Sequence, residues 1–212
     1  MKNENDQLEA LQDIRKMMKD SSRFLSLSGF SGILAGVYAL AGAVAGRHLM
    51  LNFTSQYPRG SSGFKHDYLQ LEMQILAICA LILIMSVSTA FYLSAKKARK
   101  NGHRLLDHSS RRLLWSMAIP LLTGGLFCLS LIMHGGNDIL LVSPAMLIFY
   151  GLALISSSRL TLHDVRYLGY MEVALGLLSC FYQGHGIFFW SLGFGVLHII
   201  YGTIMWFKYD RH

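Results

Sequence analysis

Charge is scarce in this chain and unevenly placed. Only 15% of its 212 residues are Asp, Glu, Lys or Arg, and 53% are hydrophobic. Soluble globular domains carry roughly 25% charged residues, so the shortage argues against a soluble fold. Cysteine is scarcer still. Cys79, Cys128 and Cys180 are an odd number and all lie in apolar runs. That excludes a disulfide framework, and the three read as small apolar residues. Walker A, dinucleotide-binding, kinase and HExxH motifs are also missing, so the commonest signatures of nucleotide and zinc chemistry are not met. No cleavable leader is expected either. Residues 1–23 include Glu4, Asp6, Glu9, Asp13 and Asp20, a poor positive n-region.

What the chain does have is six apolar runs, at about 24–46, 73–95, 113–134, 139–158, 167–184 and 186–207. Each is close to the ~20 residues that a helix needs to cross a bilayer. The spacing predicts an all-α polytopic membrane protein, a bundle of six transmembrane helices over 24–207, with a short tail at 208–212. Too little chain remains for a separate soluble core. Residues 1–23 are expected to hold an amphipathic helix on the cytoplasmic side. Leu8, Leu11, Ile14 and Met18 recur there at helical spacing. Such a helix suits the membrane interface, or a docking partner.

The basic residues give the orientation. Of 19 Lys and Arg, only Arg47, Arg59 and Lys65 fall on one side of the six-span ladder. Lys96, Lys97, Arg99, Lys100, Arg104, Arg111 and Arg112 cluster in a single connection on the other side. Short-loop Lys and Arg mark the cytoplasmic face, so both termini are expected inside, in a cell inner membrane. The net charge of +7 is then explained by orientation and by anionic lipid, without nucleic acid. The expected partners are the bilayer, anionic lipids at the basic face, and a membrane-protein partner or a second copy. No cofactor is expected.

The loop at about 47–69 is expected to be mobile, with Pro58, Gly60 and Gly63 in it. Asn52-Phe53-Thr54 has the form of a glycosylation sequon. The other connections on that side, His134 to Asp138 and Gln183 to Gly186, are short enough to make tight antiparallel hairpins. The two hairpins look duplicated: Gly125 falls on Gly176, His134 on His185 and Tyr150 on Tyr201, as is common in membrane folds.

The N-terminal run Ser26-Leu27-Ser28-Gly29-Phe30-Ser31-Gly32-Ile33-Leu34-Ala35-Gly36 resembles six-helix integral membrane proteins of Bacteroidetes-type bacteria to which no activity is assigned. The resemblance covers about the first 45 residues and implies a bacterial inner membrane. Within it, Gly29-Phe30-Ser31-Gly32 is similar to the GxSG of rhomboid intramembrane proteases. That resemblance implies a membrane-embedded hydrolase using Ser31, with a histidine on the last span. Ser31, Glu172 and His198 are expected in the same, cytoplasmic half, where a Ser–His–Glu arrangement is geometrically conceivable. Here, however, the serine is on the first span rather than the fourth, and small-residue motifs serve helix packing.

Ionisable groups inside spans are costly and usually functional. Glu172 is the only acid deep in a span, and His198 the only deep histidine. They are equidistant in sequence from His185, so an antiparallel hairpin brings both to the same depth, about 20 Å from the turn at ~1.5 Å per residue. Gly169, Glu172, Gly176, Ser179 and Gln183 form one stripe, and Ser191, Gly195, His198 and Gly202 another. If the stripes meet, Glu172 and His198 pair, with Ser179 and Ser191 beside them, as a site of ligand or proton coupling. The competing reading is interhelical glue, worth only about 0.6 kcal/mol per bond. His48, His134 and His185 end the odd-numbered spans and suggest a metal site, but solvated interfacial histidines are the simpler reading. Three functional classes follow. The first is an auxiliary, sensory or small-solute-binding component. The second is a small transporter or substrate-capturing subunit coupled to protons or ions. The third is the Ser31 hydrolase.

Overall fold

The computed structural model describes residues 28–56, 64–100 and 108–210, and Leu11 besides. The expected amphipathic segment, Leu11 excepted, lies outside the described residues, as do Arg59, the tip of the first loop and the side chain of Lys65. The described chain is all-helical. The helices are α1 (Gly29–Gln56), α2 (Phe64–Lys100), α3 (His108–His134), α4 (Val142–Ser157), α5 (Val165–Phe181) and α6 (Gly186–Asp210). Among the described residues, five helical stretches are long and apolar enough to cross a membrane, and α5 falls just short with 17 residues. A short 3-10 turn, Gly136–Leu141, extends α4 to the length of a full span.

Two short turns set the alternation. Gly135 and Gly136 have φ of 68° and 63°, and Gly184 has φ of 87°. These are left-handed conformations that glycine adopts without steric cost, so α3 stops at His134 and α5 at Phe181. The first connection differs from the expected long loop. α1 continues to Gln56 and α2 begins at Phe64. No glycine or proline interrupts Arg47 to Gln56 or Phe64 to Met73, and good helix formers carry the helix past the apolar run. α1 is therefore about 42 Å long and α2 about 55 Å at ~1.5 Å per residue, both longer than the ~30 Å hydrocarbon core. The sequon at Asn52 lies on helix rather than loop, where Asn52 Nδ2 meets His48 Nε2 at 3.0 Å.

Glycines set the lateral order of the helices. α1 lies against α6 through close backbone approach: a Cβ on Gly202 would be 2.6 Å from Ile33 N and 2.8 Å from Gly29 O. α4 lies against α5 in the same way, since a Cβ on Gly151 would be 2.6 Å from Gly169 O. α2 packs chiefly along α1, α3 chiefly along α4, and α6 also reaches α4. α5 packs far more sparsely against α6 than against α4. The expected tight pairing of the last two spans is therefore a correction. The short turn joins them, but α5 lies mainly on α4, and the two hairpins do not pack alike.

One end of the bundle is basic. There Asp210 accepts from Gly29 N (2.8 Å), Ser28 Oγ (3.1 Å) and Lys97 Nζ (2.5 Å), joining α1, α2 and α6. Asp164, between α4 and α5, accepts from Lys208 Nζ (2.6 Å) and Tyr209 OH (3.1 Å). The start of α1 and the end of α6 thus share this end.

Candidate functional site

Glu172 is fully buried, with 0% of its surface exposed, and His198 retains 7%. Glu172 projects from the middle of α5. His198 sits on α6 just after a wide π-turn, Ser191–Leu197. Such turns are rare and concentrate at functional sites. Their closest approach is 3.4 Å, from Glu172 Oε1 to His198 Nδ1. It lacks hydrogen-bond geometry, and neither Glu172 oxygen has a protein hydrogen-bond partner.

The imidazole is held at both nitrogens. Nδ1 lies 3.0 Å from Gly193 O, five residues back across the π-turn. A carbonyl only accepts, so Nδ1 carries the hydrogen. Nε2 lies 2.7 Å from Tyr150 OH on α4, and in the neutral ring that hydroxyl is the donor. Phe194 closes the other side, with ring centroids 5.1 Å from Tyr150 and 6.0 Å from His198. The carboxylate packs against Gly193 and Leu147: a Cβ on Gly193 would stand 2.5 Å from Glu172 Oε2 and 2.5 Å from Leu147 Cδ2. The surroundings are tight, with Leu147 at 0% exposure.

The stripes do not meet. Gly169 and Gly176 face α4, against Gly151, Ile148 and Pro144, while Gly195 and Gly202 face α1. Glu172 reaches His198 through Gly193 instead. Ser179 is buried on the Glu172 side of α5 and its hydroxyl has no partner. Ser191 is not at the site, since its hydroxyl donates to Phe188 O on its own helix (2.8 Å). Tyr150 and Gly193 complete the site and are not evident from sequence. One signal was available for Tyr150: it is the duplicate-hairpin counterpart of Tyr201, at the depth of the polar pair.

Ser31 is buried, and its hydroxyl donates to Ser28 O at 2.6 Å. Both His198 nitrogens are engaged elsewhere, so Ser31, His198 and Glu172 are not assembled as nucleophile, base and orienting group. The glycines around Ser31 serve packing. A Cβ on Gly32 would be 3.2 Å from Gly202 Cα, and one on Gly36 would be 2.6 Å from Gly195 O. His48 pairs with Asn52, His134 Nδ1 meets Ser130 O on its own helix at 2.7 Å, and His185 is exposed at the start of α6. Among the described residues no three of His, Cys, Asp and Glu converge as a metal site. At the basic end, the Lys208 hydrogen bond, helped by that of Tyr209, holds the Asp164 carboxyl below its ordinary value.

Comparison with protein-family models, with curated proteins and with solved structures gives no match.

Proposed function

We propose that this chain is a six-span inner-membrane protein, basic end in the cytoplasm, whose Glu172–His198 pair takes up and releases a proton. It serves as an auxiliary or sensory component. The observation that carries this reading is the Glu172 carboxyl, fully buried with no protein hydrogen-bond partner on either oxygen. Glue between helices works by satisfying polar atoms. A carboxyl left unsatisfied at this depth costs stability instead, and such groups mark ion and proton pathways. The tight packing against Gly193 and Leu147 favours a proton over a bulkier solute. A proton-coupled transporter is the second reading, supported by the same pair. Anionic lipid is proposed at the basic end, where Lys96, Lys97, Arg99, Lys100, Arg111 and Arg112 gather. Lipid also covers the exposed apolar face of α2.

The test uses the full chain in lipid nanodiscs. Infrared difference spectra between acid and alkaline buffer should show a carboxyl band that Glu172→Gln removes. That variant keeps the shape of the side chain, and its thermal unfolding should stay close to that of the parent. Absence of any Glu172-dependent band across the range where the protein is folded would refute proton coupling. Glu172→Leu separates the glue reading: if the pair is only glue, this variant keeps both fold and cellular activity.

A further inference from the structure

The hydrogen on His198 Nδ1 stands between acceptors on two different helices. It is donated to Gly193 O at 3.0 Å, while Glu172 Oε1 lies at 3.4 Å, outside hydrogen-bond geometry. The ring is fixed from its other side. Tyr150 OH is 2.7 Å from Nε2, and the Tyr150 and Phe194 rings flank the imidazole with centroids 5.3 and 6.0 Å away. Gly193 O belongs to the π-turn Ser191–Leu197, and a side-chain group that enters the backbone ladder is a known cause of broken helix geometry. The carboxyl touches the same residue, because Glu172 Oε2 lies 2.5 Å from where a Gly193 Cβ would stand. The turn is also part of the contact with α1. Gly195 lies against Leu40, and its carbonyl oxygen is 2.6 Å from where a Cβ on Gly36 would be. One imidazole hydrogen is therefore within reach both of Glu172 and of the backbone segment that meets α1.

We infer that the charge on Glu172 sets the backbone geometry of the π-turn, with His198 Nδ1–H as the moving part. The inference rests on the proton reading above and adds what the proton changes. With the carboxyl neutral, both acceptors are neutral oxygens, and the nearer, aligned Gly193 O keeps the hydrogen, as in the structure. Once the proton leaves Glu172 for bulk water, the carboxylate is the stronger acceptor, by roughly a factor of two over a neutral oxygen. A buried charge without a donor is also the costlier group to leave unmet. Nδ1–H then turns to Oε1, and Gly193 O loses its partner. The imidazole keeps its proton throughout. A carbonyl released in a packed helix must find another donor. The regular α-helical donor for Gly193 O is the N–H of Leu197, so the turn is drawn toward α-helical spacing, and Gly195 shifts against α1. The ionisable groups facing the pair do not compete for this hydrogen. Tyr150 of α4 acts at Nε2, Tyr201 lies one turn along α6, and Tyr38 of α1 meets Thr89 of α2 instead (3.4 Å). Tyr170 of α5 is exposed, and Asp164, Arg166, Lys208 and Asp210 stand at the basic end.

The experiment uses the full chain in nanodiscs, isotopically labelled at glycine carbonyls and phenylalanine nitrogens. Magnetic resonance then selects the Gly–Phe peptide bonds at residues 29, 63 and 193, and the signal lost in Phe194→Leu is that of Gly193. In the wild type this carbonyl resonance should move upfield, the sign of a lost hydrogen bond, over the pH range in which the Glu172 infrared band disappears. Glu172→Gln keeps a neutral group and should hold the resonance at its acid position at every pH. His198→Phe keeps a ring between Tyr150 and Phe194 but has no N–H, and its Gly193 resonance should not follow pH. The wild type and Glu172→Gln decide the matter even where His198→Phe fails to fold. If no Glu172 band titrates, the proton reading falls and the switch falls with it. If the band titrates while the wild-type Gly193 resonance stays still, or if that resonance still follows Glu172 in His198→Phe, the switch is wrong and the proton reading stands.

Discussion

Gly193 has the most constrained surroundings at the site, and only its backbone carbonyl, which holds His198 Nδ1, takes part in it. Any side chain there would press on Glu172 Oε2 and Leu147 Cδ2, each 2.5 Å from the position of a Cβ. Glu172 can yield only by moving in a space already filled. Gly193→Ala should therefore destabilise the protein by about 1–3 kcal/mol, the usual scale of overpacking, read as a lower thermal midpoint in nanodiscs. Part of that loss should return in the double variant with Glu172→Ala, while Leu147→Ala should relieve the rest. A Gly193→Ala protein as stable as its parent would mean that the carboxylate does not lie against this residue. At this scale the sequence was only partly legible. Glu172 and His198 stand out because ionisable groups in apolar spans are rare. Tyr150 is one of 10 tyrosines and Gly193 one of 20 glycines, and nothing in their local sequence separates them from residues that only pack.

A helix records that it has a close neighbour, but not which one. Gly169 and Gly176 promised close approach, and they have it, against α4 rather than α6. Equal sequence distance from His185 still brought Glu172 and His198 together, because a short turn fixes depth whatever the lateral packing. The π-turn at Ser191–Leu197 was hidden for a similar reason: it leaves no compositional trace. Asp210 works at the same scale. Its carboxylate takes the place of an N-cap for α1, accepting from Gly29 N and Ser28 Oγ, while Lys97 binds its other oxygen. Asp210→Ala should lower stability by about 0.5–2 kcal/mol, as loss of a cap does. Faster amide exchange should be confined to the first turn of α1. Asp210→Asn keeps an acceptor for Gly29 and should recover most of the protection. Equal exchange in all three proteins would show that the α1 start is held by something else.

For the whole molecule, helix number and alternation were readable because length and hydropathy are set by the bilayer itself. The helix limits were not, since α1 and α2 run on past their apolar stretches. Orientation depends on a separate asymmetry. The contacts at Asp210 and Asp164 gather the start of α1, the end of α2, the α4–α5 connection and the end of α6 at one end. Most of the described Lys and Arg lie at that end, whereas Arg47 lies toward the other on α1. Basic residues in short loops are retained on the cytoplasmic side, so the alternation turns one assignment into four. Single cysteines in a background lacking Cys79, Cys128 and Cys180 provide the check. A membrane-impermeant thiol reagent applied to intact cells should label Ser61→Cys and Asn137→Cys. It should leave Asn101→Cys and His163→Cys unmodified until the membrane is permeabilised. Because both connections at the basic end are probed, a single misplaced helix would show as disagreement between positions 101 and 163. Labelling of both in intact cells would invert the protein.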